Sequence, residues 1–237
     1  MFIKFLIGFG ILIGYFIICA SSALLLRHFV EVPKEVFRKT LHLILLGSLP
    51  IFVYAFPAWW MSAMANIVFI VLAFPILLFA EKHLACYSEL LTERKSGEIK
   101  NSLVIVFGMY ALIIGICWGW LGEKWLVLAC VYAWGFGDAA AALIGKKYGK
   151  HCLEGGYIEG CKSVEGTLAM FAVSFLSVII ILLANGKVAW YGYAPIAALT
   201  AAVCAAVELY TPNGMDTLTC PIAAAAVILP LVHLWGI

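Results

Sequence analysis

Charge is what this chain has least of. Only 12% of its 237 residues are Asp, Glu, Lys or Arg, 65% are hydrophobic, and the mean hydropathy is +1.07. A soluble domain carries roughly twice that charged fraction. So little polar surface cannot cover the chain in water, and its natural solvent is lipid. Zinc-type cysteine spacing is also missing. There are eight cysteines but no CxxC pair, and most lie in apolar runs, where a thiol behaves as a small hydrophobe. A Cys152–Cys161 disulfide is conceivable, but the segment holding them reads as cytosolic, so neither a metal nor a redox role is expected of the cysteines. No GxxxxGK[ST] string occurs, which excludes a Walker A loop. The net charge of +2 points to no partner, and no nucleic acid is expected.

Long apolar runs are present instead. A spanning helix needs about 20 mostly apolar residues. Such runs fall near 2–26, 41–56, 58–80, 101–121, 125–144, 164–184, 188–207 and 218–236. They predict an all-α, polytopic bundle of about eight transmembrane helices, with residues 1–237 as a single membrane domain. Lys4 and the small residues around Ser21 resemble a signal peptide superficially, but the basic cluster follows the run, so a retained span is expected. Small residues such as Gly10, Gly14, Gly115, Gly119 and Ala139–Ala142 suit close helix packing.

Arg27, Lys34, Arg38 and Lys39 follow the first run. Lys82, Arg94, Lys95 and Lys100 follow the third, and Lys146, Lys147, Lys150 and Lys162 the fifth. Only Lys4, Lys124 and Lys187 remain for the other side. Basic residues near span ends resist translocation, so the first group is expected in the cytosol and both termini outside. The acidic residues follow them: Glu31, Glu35, Glu81, Glu89, Glu93, Glu98, Glu154, Glu159 and Glu165 lie in or beside the same loops, and Glu208 and Asp216 frame the last.

Asp138, in Trp134-Gly135-Phe136-Gly137-Asp138-Ala139-Ala140, is predicted about two turns inside the membrane. An ionisable group at such depth is a functional candidate by default, as Mg²⁺ ligand or general base, against a structural pairing with a nearby Lys. Gly135 and Gly137 permit a kink or close approach of a second backbone. The loop from Gly145 through Lys146, Lys147 and Lys150 leads to Lys162, Ser163 and Glu165. Ser163 is a natural N-cap for the sixth span, and a helix N-terminus beside Lys162 suits phosphate. Glu165 would repel a bare anion, which points to a metal–nucleotide complex; complementing the helix dipole is the alternative. Arg38, Lys39 and His42 share a helical face at a membrane mouth and suit phosphate oxygens, although a basic anchor explains the first two. Glu208 and Asp216, among hydroxyl and amide neighbours, are oxygen donors of the kind Mg²⁺ takes. Phosphoryl transfer needs mainly such positioning and charge neutralisation.

Four strings in order, Arg38-Lys39-x-x-His42, Gly137-Asp138-Ala139-x-Ala141-x-Leu143-Ile144-Gly145, Lys162-Ser163-x-Glu165-Gly166 and the Glu208–Pro221 stretch, resemble the phytol, farnesol and dolichol kinases and the CTP-dependent diacylglycerol kinases. The resemblance runs from about residue 35 to 225. It implies CTP as phosphate donor, Mg²⁺ as cofactor and a membrane lipid alcohol as acceptor. Asp138, Glu165 and His42 would then be catalytic. Arg38, Lys39, Lys146, Lys162 and Ser163 would bind the nucleotide, and Asp138, Glu208 and Asp216 the metal. Similar proteins usually have Asn at the position of Thr217. The expected pocket faces the cytosol under the 145–163 loop, in the plasma membrane if the host is prokaryotic. A long-chain isoprenoid alcohol is the expected acceptor, with diacylglycerol next. Cytidylyl transfer, as in CDP-lipid synthases, ranks lower, and a transporter using Asp138 as coupling site is the alternative of another class.

Overall fold

A computed structural model describes residues 1–83, 97–153, 155, 161–212 and 214–236. Cys86, Glu89, Glu93, Arg94, Lys95, Glu154, Glu159, Gly160 and Asn213 lie outside the described residues. Among the described residues the chain is almost entirely helical, with eight helical segments long and apolar enough to cross a membrane. This bears out the all-α polytopic reading. The chain divides into two compact units, Met1–Gly119 and Trp120–Ile237, each described by itself.

The first unit contains α1 (Phe2–Phe29), α2 (Lys34–Gly47), α3 (Leu49–Tyr54), α4 (Trp59–His83) and α5 (Glu98–Ile113), followed by a π-helical turn from Ile114. With 28 residues, α1 extends about 42 Å, more than the ~30 Å hydrocarbon core. It buries only Gly8, Leu12 and Ala23. At Gly8 a Cβ would stand 3.0 Å from the Ala55 carbonyl and the Phe56 ring, so the missing side chain lets α1 cross the α3–α4 connection.

The predicted second span starts too late. Hydropathy begins it at 41, whereas α2 begins at Lys34, directly after Pro33, and the spanning segment runs to Tyr54. Charge stops a hydropathy window but not a helix, because Glu35 and Arg38, three apart, pair across a turn. Arg38, Lys39 and His42 therefore lie within a helix. The segment breaks between α2 and α3, where Pro50 has no N–H to donate and the Ser48 N–H bonds to Leu45 O. Freed carbonyls in an apolar medium need other donors. The Tyr15 hydroxyl donates to Ile44 O at 2.8 Å, and the hydroxyls of Ser48 and Tyr110 donate to Leu45 O. Phe16, Phe52, Phe69, Phe107 and Tyr110 fill the core beneath, with ring centroids 4.7–6.1 Å apart in successive pairs.

The second unit contains α6 (Lys124–Tyr148), a hairpin of β1 (Cys152–Leu153) and β2 (Lys162–Ser163), α7 (Val164–Asn185), a 3-10 turn (Trp190–Gly192), α8 (Tyr193–Tyr210) and α9 (Asp216–Trp235). Gly137, Ala141 and Gly145 recur every fourth residue, which puts them on one stripe of α6. Gly137 is backed by Met170 and Ser174 of α7. At Gly166 a Cβ would stand 3.0 Å from Ala141 O and 3.3 Å from Gly145 Cα. The Ser174 hydroxyl donates to Ala133 O at 2.6 Å along the same seam. Gly137 makes no kink, since α6 continues helical through it; its missing side chain makes room for those of Met170 and Ser174. On the far side, α8 and α9 meet through buried Cys204 and Cys220, each thiol 3.7–3.9 Å from the other's carbonyl.

The two ends of this unit differ in polarity. At one end Lys187 bridges Glu123 at 2.7 Å, and the Trp125 indole N–H donates to the same carboxylate. The other end carries Lys146, the hairpin, Glu165, Glu208 and Asp216.

Candidate functional site

Three helices of the second unit bring one carboxylate each to its polar end, and each placement follows from i, i+4 spacing. On α6, Trp134 and Asp138 form the stripe beside the glycine seam. On α8, Cys204 and Glu208 share a face, as do Asp216 and Cys220 on α9. The Trp134 indole N–H reaches toward Asp216 Oδ2 at 3.5 Å, so the Trp134–Asp138 stripe faces α9. Buried Cys204 and Cys220 pack against each other, so Glu208 and Asp216, one turn beyond each, stand at the same end of α8 and α9. All three carboxylates are half-buried. Asp138, Glu208 and Asp216, the metal ligands expected from the sequence, lie toward one end of one unit.

Lys162 pairs with one member of this set, Glu208. The hairpin pairs Cys152 with Ser163 and Leu153 with Lys162, and it sets the Lys162 ammonium 3.0 Å from Glu208 Oε1. The same ammonium donates to the Glu208 backbone carbonyl. A primary ammonium has three donors, and these two bonds leave one for another acceptor. Ser163 caps α7 as predicted: its Oγ accepts from the Gly166 N–H at 3.1 Å, and the Thr167 hydroxyl donates to its carbonyl. Its side-chain oxygen is thus engaged in the cap, with its O–H still able to donate.

Glu165 is held by the residue that leads into the hairpin. Its Oε1 lies 2.8 Å from His151 Nδ1, and the His151 backbone N–H points to Oε2 at 3.4 Å. The Val164 N–H in turn donates to His151 O. His151 is exposed, and sequence reading missed it, because only the hairpin returns residue 151 to residue 165. Lys146 is exposed on the last turn of α6, which runs to Tyr148. The predicted 145–163 loop is therefore helix over its first residues, a correction that puts Lys146 and Lys147 on α6 and starts the loop at Gly149.

The remaining candidates belong to the first unit. Arg38 bridges Glu35 at 2.5 Å and Glu98 at 3.5 Å. Lys39 is buried, at 7% exposure, and His42 is half-buried. Lys100 pairs with Glu81, and the Arg27 guanidinium stands 4.6 Å over the Phe37 ring. The Glu35–Arg38 pair was legible from its spacing; Glu98, sixty residues away, was not.

Among the described residues no three His, Cys, Asp or Glu groups form a ready-made metal cage. Mg²⁺ seldom requires one, since it keeps several waters and takes one or two carboxylates along with substrate phosphates. The Glu208 carboxylate beside the Lys162 ammonium, with Asp138 and Asp216 at the same end of the unit, fits an ion arriving with its nucleotide.

No family model matches the chain, and no solved structure matches it significantly. Among curated proteins it is similar to a phytol kinase from Synechocystis sp., 31% identical over 134 residues, covering 53% of this chain and 54% of that protein. The chain thus spans about half the length of the curated relative it matches.

Proposed function

We propose that this protein is a lipid-alcohol kinase that moves the terminal phosphoryl group of a nucleoside triphosphate, CTP by resemblance, onto the hydroxyl of a membrane-embedded alcohol. The observation that carries the reading is the placement of Asp138, Glu208 and Asp216, from three apolar helices, at one polar end, with Lys162 paired to Glu208. Four ionisable groups beside spanning segments are costly unless they serve a site. The similarity to a phytol kinase supports the same reaction class.

Mg²⁺, when bound, neutralises charge on the phosphates. Asp138, Glu208 and Asp216 are the oxygen donors that would hold it. Lys162 would turn its remaining donor, and then its Glu208 bond, toward phosphate oxygens, and Lys146, on the last turn of α6, would supply a second cation. Asp138 lies deepest, three residues or about 4.5 Å of rise from Ala141, where α7 begins to pack. That depth suits accepting the proton of a hydroxyl whose hydrocarbon stays in the bilayer. The isoprenoid tail would lie against the apolar outer faces of the helices. Arg38, Lys39 and His42 are proposed as further phosphate-binding and catalytic groups on the strength of the resemblance. The distribution of Lys and Arg supports polar loops in the cytosol and both termini outside.

The test is purified protein in detergent, given each of the four labelled nucleoside triphosphates and a panel of phytol, farnesol, dolichol and diacylglycerol. Label appearing in an isoprenoid phosphate with CTP in preference to the others is the expected result. No lipid phosphate from any combination would overturn the reading.

A further inference from the structure

Cys152 and Cys161 form a disulfide, with Cα atoms 5.5 Å apart. Both are exposed, whereas Cys117, Cys130, Cys204 and Cys220 are buried. Their placement ties them to the site. Cys152 is the register partner of Ser163, the cap of α7, and Cys161 directly precedes Lys162. Immediately before Cys152, His151 holds Glu165 and accepts from the Val164 N–H. The covalent link thus closes a two-residue hairpin whose ladder is too short to be stable alone. The Lys and Arg distribution supports placing this hairpin on the cytosolic side, where glutathione and thioredoxin systems keep thiols reduced and persistent disulfides are rare.

We infer that Cys152 and Cys161 are a reversible thiol–disulfide modification site, exchanging with small or protein disulfides of the cytosol, and that its state sets how firmly Lys162 is held against Glu208. One cysteine thiolate attacks an external disulfide, giving a mixed disulfide and releasing one thiol. The second cysteine then attacks the mixed disulfide and releases the other. The protein loses two electrons and two thiol protons, and the external disulfide becomes two thiols. Reduction reverses this and leaves the hairpin held by backbone bonds alone. Lys162 then keeps its Glu208 partner less of the time. The consequence for activity rests on the kinase reading; the exchange itself does not.

The experiment uses the full chain in isolated membranes, equilibrated with mixtures of glutathione and glutathione disulfide, with isotope-coded alkylation of free thiols. Cys152 and Cys161 should become labelled together as the mixture turns reducing, and amide exchange at Lys162–Thr167 should rise in step. In the phosphoryl-transfer assay the KM for nucleotide should rise by about five-fold or more on reduction, the lower end of ordinary coupling between sites. Cys161→Ser should show the reduced behaviour in every mixture. Thiols free at all ratios, or at none, would overturn the inference, as would unchanged amide exchange. Paired thiol and exchange responses without phosphoryl transfer would uphold the modification site and overturn the kinase reading. Transfer without any redox response would do the reverse.

Discussion

The seam between α6 and α7 sets where Lys162 sits, and Gly166→Ala probes it most sharply. A methyl group at residue 166 would stand 3.0 Å from Ala141 O, 3.2 Å from Ser163 Oγ and 3.3 Å from Gly145 Cα. Two of these are backbone atoms of a long helix and cannot rotate aside; the third is the cap of α7. Overpacking of this kind costs about 1–3 kcal/mol. Alanine returns up to about 1 kcal/mol through its helix propensity, less in a first turn. The net loss is about 1–2 kcal/mol, or about 2–8 °C in the unfolding midpoint of a chain this size. Gly108→Ala is the control, since its Cβ would meet nothing within 4 Å. It lies inside α5 and should hold or raise the midpoint by up to about 1 kcal/mol. Both variants are compared by thermal unfolding in detergent and by nucleotide KM. Gly166→Ala should lower the midpoint and raise the KM by displacing Lys162. A Gly166→Ala protein as stable as wild type, with unchanged KM, would refute the claim that this seam positions the site.

Lys162→Ala, Glu208→Ala and the double variant form a cycle in which the half-buried pair should show a coupling of about 1–2 kcal/mol by thermal unfolding, between the values for exposed and buried pairs. A coupling near zero would mean that the ammonium and carboxylate act independently. Tyr15→Phe removes the side-chain donor to Ile44 O at the α2–α3 break and should cost about 0.5–1.5 kcal/mol, read as a lower unfolding midpoint. An unchanged midpoint would show that the break is satisfied by other groups.

The number of spanning helices was legible because apolar length is a direct requirement of the bilayer. The ends of helices were less so. α2 starts seven residues before its apolar run, since the Glu35–Arg38 pair keeps charged residues helical. Asp138 could be singled out from its depth alone, and Ser163 from its cap chemistry, because each property is local. The three carboxylates were legible only as separate residues. Their common placement depends on which stripe of α6 faces α7, and Gly137, Ala141 and Gly145 decide that by letting α7 approach, leaving Trp134 and Asp138 to face α9. His151 and Glu98 could not be read from spacing, because a hairpin and a long excursion of chain bring them to Glu165 and Arg38. The Cys152–Cys161 link ran against expectation: nine residues of separation resembles no zinc motif, yet the pairing of β1 with β2 brings the two cysteines together.

Transfer of labelled γ-phosphate to a lipid alcohol by Asp138→Asn, set beside wild type, bears most directly on the account. Asparagine keeps the size of the side chain and removes its charge and basicity. The rate should fall by about 100-fold or more, the usual consequence of losing a preorganised charged group at a phosphoryl-transfer site, with the unfolding midpoint within about 4 °C of wild type. An Asp138→Asn protein that transfers phosphate at the wild-type rate would contradict it.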